Sequence, residues 1–460
     1  MQIRRFDVTA GLVLLGLAGA TAAIVTFGQT RPLTVVAIEP ADGAREAAVR
    51  TQLRVTFSRP LDEASTRTAV TLSPPTVGLV SAAGRRLAFT PRHILRAGTE
   101  YTLTILPSLR DRTGRALAGP VVTRFRTRPL GLVARTMNGA LVQMDLDDGR
   151  TEHLAGPGVD AFAVGPAGTI AYVIPSAGQL VLSSREDKRG AGERRIGLPA
   201  GVQVRDLEWA PGERALLFLA VGDDEEGAPY LVRPEDRAVT PFGPRPGPID
   251  PGSALVVEAL KKSLVEIVYR RESFALTPDG RAAVVRDQNW DFAVIAFDGT
   301  RMSTLGSVLA VGDFAPGGDA LTVVDVDPAD AALRRQVLVY GTGGSRVALS
   351  AADHDSHTPR FAHAGDRVVF VSGRPEGLPT GRQFALEVVD VPSGRRRRLT
   401  SPPAGMTDGA PRWAPDDSWI SFVRAPIGTD REQGRVWLVP TEGGDARPLA
   451  IAATDARWLP

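Results

Sequence analysis

A repeat constrains this chain more than any other feature, since a missed repeat misassigns the whole fold. One half-unit reads aromatic or aliphatic residue, any residue, Pro, a Gly/Asp-rich turn, then an apolar strand. It occurs as "VGPAGTIAYV" from Val164, "WAPGERALLFL" from Trp209, "LTPDGRAAVV" from Leu276, "FAPGGDALTVV" from Phe314, "FAHAGDRVVFV" from Phe361 and "WAPDDSWISFV" from Trp413. A seventh copy, "WLP", starts at Trp458 and stops at Pro460. The other half-unit is a strand, a Gly or Asp turn, a polar position and a Leu, as in "ALVQMDLDDGRTEHL" and "VWLVPTEGGDARPL". It also occurs seven times, but the series opens on this half and ends on the first. That offset predicts a seven-bladed β-propeller over residues 129–460 with interlocked closure, the strand at Trp458 completing the sheet that begins at Gly131. Closure leaves no open sheet edge to aggregate.

The residue types explain the half-unit. The aromatic fills the wedge between blades, Pro starts a turn with φ already set, and Gly or Asp tolerates the positive φ after it. Successive Pro positions, counting His363 as the replacement in one copy, lie 45, 67, 38, 47, 52 and 45 residues apart. Four-stranded blades take about 40 to 50 residues. The long interval marks an insertion over about 244–272. There Val257, Leu260, Leu264 and Ile267 share one face at helical spacing, and Glu258 precedes Lys262 by one turn. This stripe is the candidate partner-docking helix in an otherwise all-β chain.

Residues 31–128 read differently. Short alternating runs at Thr34 to Ile38, Leu53 to Phe57, Ala69 to Leu72, Arg86 to Phe89, Tyr101 to Ile105 and Val121 to Phe125 predict a β-sandwich. The order "EPADGA", "LRVTFSRPLD", "LAFTP", "LRAGTEYTLTI", "DRTGRAL", "FRT" resembles the bacterial Ig-like domain family of surface-layer and other exported proteins. The resemblance implies a stalk without chemistry. In the repeat region, "PRWAPDDSWISFV" with "VWLVPTEGGDARPL" is similar to the propeller repeats of TolB-like and WD40-like exported proteins, a family of partner-binding scaffolds that also includes propellers fused to peptidases.

Ahead of both units, Arg4, Arg5 and Asp7 precede a run from Val8 to Thr30 without a charged residue. About 20 helical residues cover a bilayer core, so residues 1–30 are expected to be a signal-anchor or transmembrane segment, with the bulk of the chain extracytoplasmic. The small-x-small pair Ala20 and Ala22 also fits a cleaved signal peptide, which would make the protein secreted. Both readings export the chain.

Composition excludes several functions. With 54 Lys plus Arg against 52 Asp plus Glu there is no single-sign field to draw nucleic acid, and with no cysteine there is no disulfide, thiolate metal site or Cys nucleophile. No G-x-S-x-G, P-loop or H-E-x-x-H motif occurs, and no cofactor is expected. The densest chemistry is "ADHDSHTPRFAHAGD", where His354 and His357 with Asp353 and Asp355 are candidate metal ligands. Alignment with the next repeat makes the same segment a polar loop at a propeller mouth. Asp325, Asp327 and Asp330 lack the Gly and distal Glu of a calcium loop, and Arg395 to Arg398 form an outer-strand run whose side chains alternate between faces. The function expected is a non-catalytic, membrane-anchored binding or scaffold protein of the cell envelope, taking a protein or envelope polymer at a propeller mouth. A propeller hydrolase or lyase with a carboxylate or metal in the central channel is the alternative, favoured if Asp, Glu or His side chains converge there from several blades.

Overall fold

The computed structural model describes residues 13, 15–18, 32–183, 192–222, 225–244, 274–287, 291–306, 308–326, 330, 334–374, 383–429 and 433–460. Most of the apolar N-terminal run, and the whole stripe Val257, Leu260, Leu264 and Ile267, lie outside them. Among the described residues no helix is long and apolar enough to cross a membrane. Two compact units emerge, one of Met1–Leu95 and Thr99–Arg128 and one of Arg96–Gly98 and Pro129–Pro460.

The first unit is a sandwich of two four-stranded sheets. One runs in the order Val35–Glu39, Leu53–Phe57, Arg86–Pro91, Gly78–Ala83; the other runs Ala44–Ala47, Val121–Thr127, Glu100–Ile105, Val70–Ser73. The run at Leu53–Phe57 shows why: Leu53, Val55 and Phe57 are buried while Arg54 is exposed, the period of a half-wet strand. Those residues join Leu87, Phe89, Leu103, Ile105 and Phe125 in one core. Two strands go beyond the sequence expectation. Ala44–Ala47 carries too few apolar residues to stand out, and Gly78–Ala83 is an edge strand with Leu79 on its exposed face and Val80 on its half-buried one.

The second unit is a β-propeller fold of seven antiparallel four-stranded sheets, none of which closes on itself. Sheets two to seven each follow the chain, their first strands being Phe162–Val164, Gln203–Trp209, Phe274–Leu276, Ala310–Phe314, Asp355–Phe361 and Met406–Trp413. Sheet one takes three strands from the start of the unit, Gly131–Thr136, Leu141–Asp145 and Thr151–Ala155, and its remaining strand, Ala453–Trp458, from the end. The joining register is Ala453 to Thr136, Asp455 to Arg135, Ala456 to Ala134, Arg457 to Val133 and Trp458 to Leu132.

Apolar residues of adjacent sheets interdigitate in seven cores. Leu182 and Ile196 of sheet two meet Trp209 and Phe218 of sheet three, and Val423 and Leu438 of sheet seven meet Leu132 and Met144 of sheet one. The other five cores join the remaining neighbours, so the sequence of shared cores returns to its start.

The repeat turns link neighbouring sheets. In each, the N–H of the fourth residue donates to the carbonyl of the first, at 2.8–3.0 Å. The fourth residue has positive φ, as at Gly280 (67°), Gly318 (75°), Glu213 (54°) and Asp417 (57°). At Gly280, Gly318 and Gly365 it lies against the preceding turn: a Cβ at Gly280 would meet the Pro211 carbonyl oxygen at 2.1 Å. Where it is acidic, its carboxylate caps that turn. Glu213 accepts from the Ala167 N–H and the Thr169 hydroxyl, and Asp417 accepts from the His363 and Ala364 N–H groups at 2.8 Å. Glu and Asp thus accept the backbone strain of αL in exchange for charge-assisted hydrogen bonds across the seam.

Candidate functional site

The four candidate metal ligands do not form a ligand set. Asp355 is buried on its strand, and its carboxylate is held bidentately by Arg335 at 2.7 and 2.7 Å, with the Arg335 N–H at 3.1 Å. His357 is buried too, its Nδ1 2.6 Å from the Thr358 hydroxyl and its ring edge-on to Phe384. His354 is half-buried, its Nδ1 3.4 Å from the exposed Asp353 carboxylate. No group of three His, Asp or Glu side chains able to hold a metal occurs among the described residues. Asp353 and His354 precede the strand Asp355–Phe361, Arg335 satisfies the one buried carboxylate, and His357 packs on Phe384. The third histidine of the segment, His363, stands at the turn, 3.0 Å from Asp417.

The groups that do converge sit one residue before the repeat aromatic. Those positions are Ala163, Glu208, Ala275, Asp313, Arg360, Arg412 and Arg457. All but Ala275 line a cavity of about 310 Å³. A second cavity, of about 120 Å³, shares Leu207, Arg360, Arg412 and Arg457 with it and continues past Arg135, Arg205 and Asp455. The first strands of the sheets therefore surround a channel, and period-2 alternation explains its lining. When the aromatic enters the seam, the residue before it faces the channel.

Bulges aim these side chains. Register shifts interrupt the first strands between Arg205 and Glu208, Val311 and Phe314, His357 and Arg360, and Gly409 and Arg412. Three of them carry a non-glycine residue at positive φ, Asp206 (48°), Thr358 (54°) and Ala410 (53°), each two residues before the charged one. An extra residue there bends the strand and re-aims the side chains beyond it. Indole N–H groups then fix the strands to each other, from Trp413 to the Arg360 carbonyl at 2.9 Å and from Trp458 to the Arg412 carbonyl at 3.1 Å.

The channel is electrostatically uneven. Glu208 lies 3.9 Å from both Arg360 and Arg412, beyond hydrogen-bonding distance. Arg457 is tied to Asp455 at 2.5 Å and lies over the Phe162 ring. Asp313 accepts from the Phe361 N–H at 2.9 Å and from the Thr322 hydroxyl at 3.2 Å, and burial pushes its carboxyl up to about 6 despite the nearby Arg360. Burial, together with the like charges of Arg457 and Arg360, pushes Arg412 down to about 9. Sequence reading passed over these residues because their types vary from copy to copy. Their fixed position before the aromatic was the signal that could have found them.

Residues 29–127 match the family described as bacterial Ig-like domain. No curated protein sequence matches the chain. Solved structures that resemble it include TolB from Acinetobacter baumannii, 13% identical over 85% of this chain and 83% of that one with a TM-score of 0.39. Another is the β-propeller domain of the Trilobed protease from Pyrococcus furiosus, 11% identical over 92% and 99% with a TM-score of 0.45. A third is the Pyrococcus horikoshii acylaminoacyl peptidase, 12% identical over 84% of this chain and 53% of that one with a TM-score of 0.44.

Proposed function

We propose that this is an exported binding protein of the cell envelope, held at the membrane by its apolar N-terminal run, with the Ig-like unit as a spacer and the propeller channel as its binding site. The observation that carries the reading is the convergence of Arg360, Arg412 and Arg457 with Glu208 and Asp313 on one channel. Polar groups converging in a concavity are the usual mark of a ligand site. The enzymatic alternative draws less from the same residues. Three guanidinium groups outnumber the two carboxylates at the repeat position, and the Asp313 oxygens accept hydrogen bonds from the chain's own backbone and Thr322. Such a lining suits capture of a ligand better than general acid–base hydrolysis.

The absence of cysteine supplies the test. Asp160→Cys, an exposed position at the smaller cavity, and Val347→Cys, exposed on an outermost strand, each carry one photo-crosslinker in the full-length protein. In cell-envelope preparations, discrete adducts are expected from position 160 and not from 347. Equal adduct formation from the two positions refutes the channel as the binding site.

A further inference from the structure

We propose that Arg360, Arg412 and Arg457 form an oxyanion site that takes a carboxylate or phosphate group of a ligand entering the channel; the proposal rests on the channel being the binding site. The three residues occupy the same repeat position on three neighbouring sheets, the sixth, the seventh and the interlocked first. All three line both cavities, so a group bound among them is reached along the channel.

Arg412 is the member of this triad that no acid of the chain hydrogen-bonds among the described residues. Asp455 is engaged with Arg457 and with the Ala456 N–H. Asp313 is spent on the Phe361 N–H and Thr322 across the neighbouring seam. Glu208 is the one carboxylate within 4 Å of Arg412 among the described residues, and at 3.9 Å it makes no hydrogen bond. Arg412 thus presents a planar fork of donors, fixed through its own strand by the Trp458 staple, with no acceptor from the protein among the described residues. Burial, and then the two like charges that flank it, hold its proton less tightly than that of an ordinary arginine. A bound oxyanion would offset the Arg412 charge and fill its fork bidentately, a geometry that carboxylate and phosphate share. Glu208 would then act as a competing internal anion, close enough to attract Arg412 but too distant to hydrogen-bond it.

The experiment titrates inorganic phosphate and, separately, succinate into the full-length protein by calorimetry at low ionic strength. Saturable binding that weakens with added salt is expected for the wild type. Arg412→Gln is expected to weaken it at least tenfold, and Glu208→Gln to tighten it several-fold by removing the internal competitor. A preference for phosphate assigns the ligand group to a phosphate ester, and a preference for succinate assigns it to a carboxylate. Binding unchanged in Arg412→Gln overturns the proposal, as does the lack of saturable binding of either anion by both the wild type and Glu208→Gln. Because Glu208→Gln requires a gain, it decides the matter even if Arg412→Gln does not fold. If adducts still form from position 160 while neither anion binds, the oxyanion site falls and the channel reading stands.

Discussion

Deleting Asp455–Pro460 removes most of the strand that joins the two ends of the propeller unit, and its cost can be built from the structure. Leu459 is 4% exposed and packs in the core with Val133, Leu141 and Phe162, while its N–H donates to the Gly131 carbonyl at 2.9 Å. Losing such a side chain costs about 2 to 5 kcal/mol. The Trp458 indole bond to Arg412 adds about 1 kcal/mol. Removal also strips the paired backbone from Leu132 to Arg135 and opens the seam beside Leu132, Ala134 and Phe162. The total is on the order of 5 kcal/mol or more, a large part of the roughly 5 to 15 kcal/mol that holds a domain together. At about 2 to 4 °C per kcal/mol, the midpoint should fall by roughly 10 to 20 °C. All six tryptophans lie beyond residue 200, so tryptophan fluorescence during thermal unfolding reports the propeller unit alone, with five of them retained in the deletion. Leu459→Ala should give about half the drop, and deletion of Pro460 alone very little. A midpoint within about 2 °C of wild type for the six-residue deletion would refute the reasoning, because it would mean that the pairing of Ala453–Trp458 with Gly131–Thr136 contributes no stability.

Three more outcomes are expected from the same contacts. Gly280→Ala should destabilise by about 3 kcal/mol or more, since αL strain of about 1 kcal/mol is joined by a Cβ driven to 2.1 Å from the Pro211 oxygen; Gly299→Ala, at φ 93° with nothing within 4 Å, should cost only the strain, and equal losses in chemical denaturation would show that the turns do not nest. Asp408→Asn should cost about 3 to 5 kcal/mol, because it leaves the Arg424 guanidinium, paired at 2.6 and 2.9 Å, buried without its charge partner; Asp408→Leu with Arg424→Met should recover most of that in urea unfolding, and no recovery would mean the pair itself supplies the stability. Asp313 takes up its proton more readily folded, at about 6, than unfolded, at 3.8, so its contribution to stability is full below pH 3.8 and is lost as pH rises through 6. Relative to Asp313→Asn, the wild type should therefore lose about 1 kcal/mol between pH 5 and 7, and a gain over that interval would contradict burial as the cause of the shift.

Local chemistry made much of the architecture legible in advance. A Pro with its preset φ, then Gly or Asp at positive φ and an alternating strand, names a turn and its flanking strands wherever it recurs, and counting the halves showed that the final Trp458 had to pair with the strand at Gly131. In the first unit the same reasoning found Leu53–Phe57 to the residue but missed Gly78–Ala83, because Leu79 on the exposed face beside Val80 on the half-buried one leaves no apolar alternation to read. The candidate metal site was the counter-example. His354, His357, Asp353 and Asp355 are close in sequence, but Asp353 and His354 lie ahead of the strand, His357 packs on Phe384, and a partner 20 residues away, Arg335, claims the one buried carboxylate. Conversely, Glu208, Asp313, Arg360, Arg412 and Arg457 lie 45 to 105 residues apart, each from the next, and only the circular arrangement of sheets and the bulges in their first strands bring them onto one channel. Sequence by itself determined the repeating elements, because those depend on torsions and periodicity within a few residues. The tertiary structure alone decided the site, because its charges meet through space across sheets that the chain reaches at widely separated points.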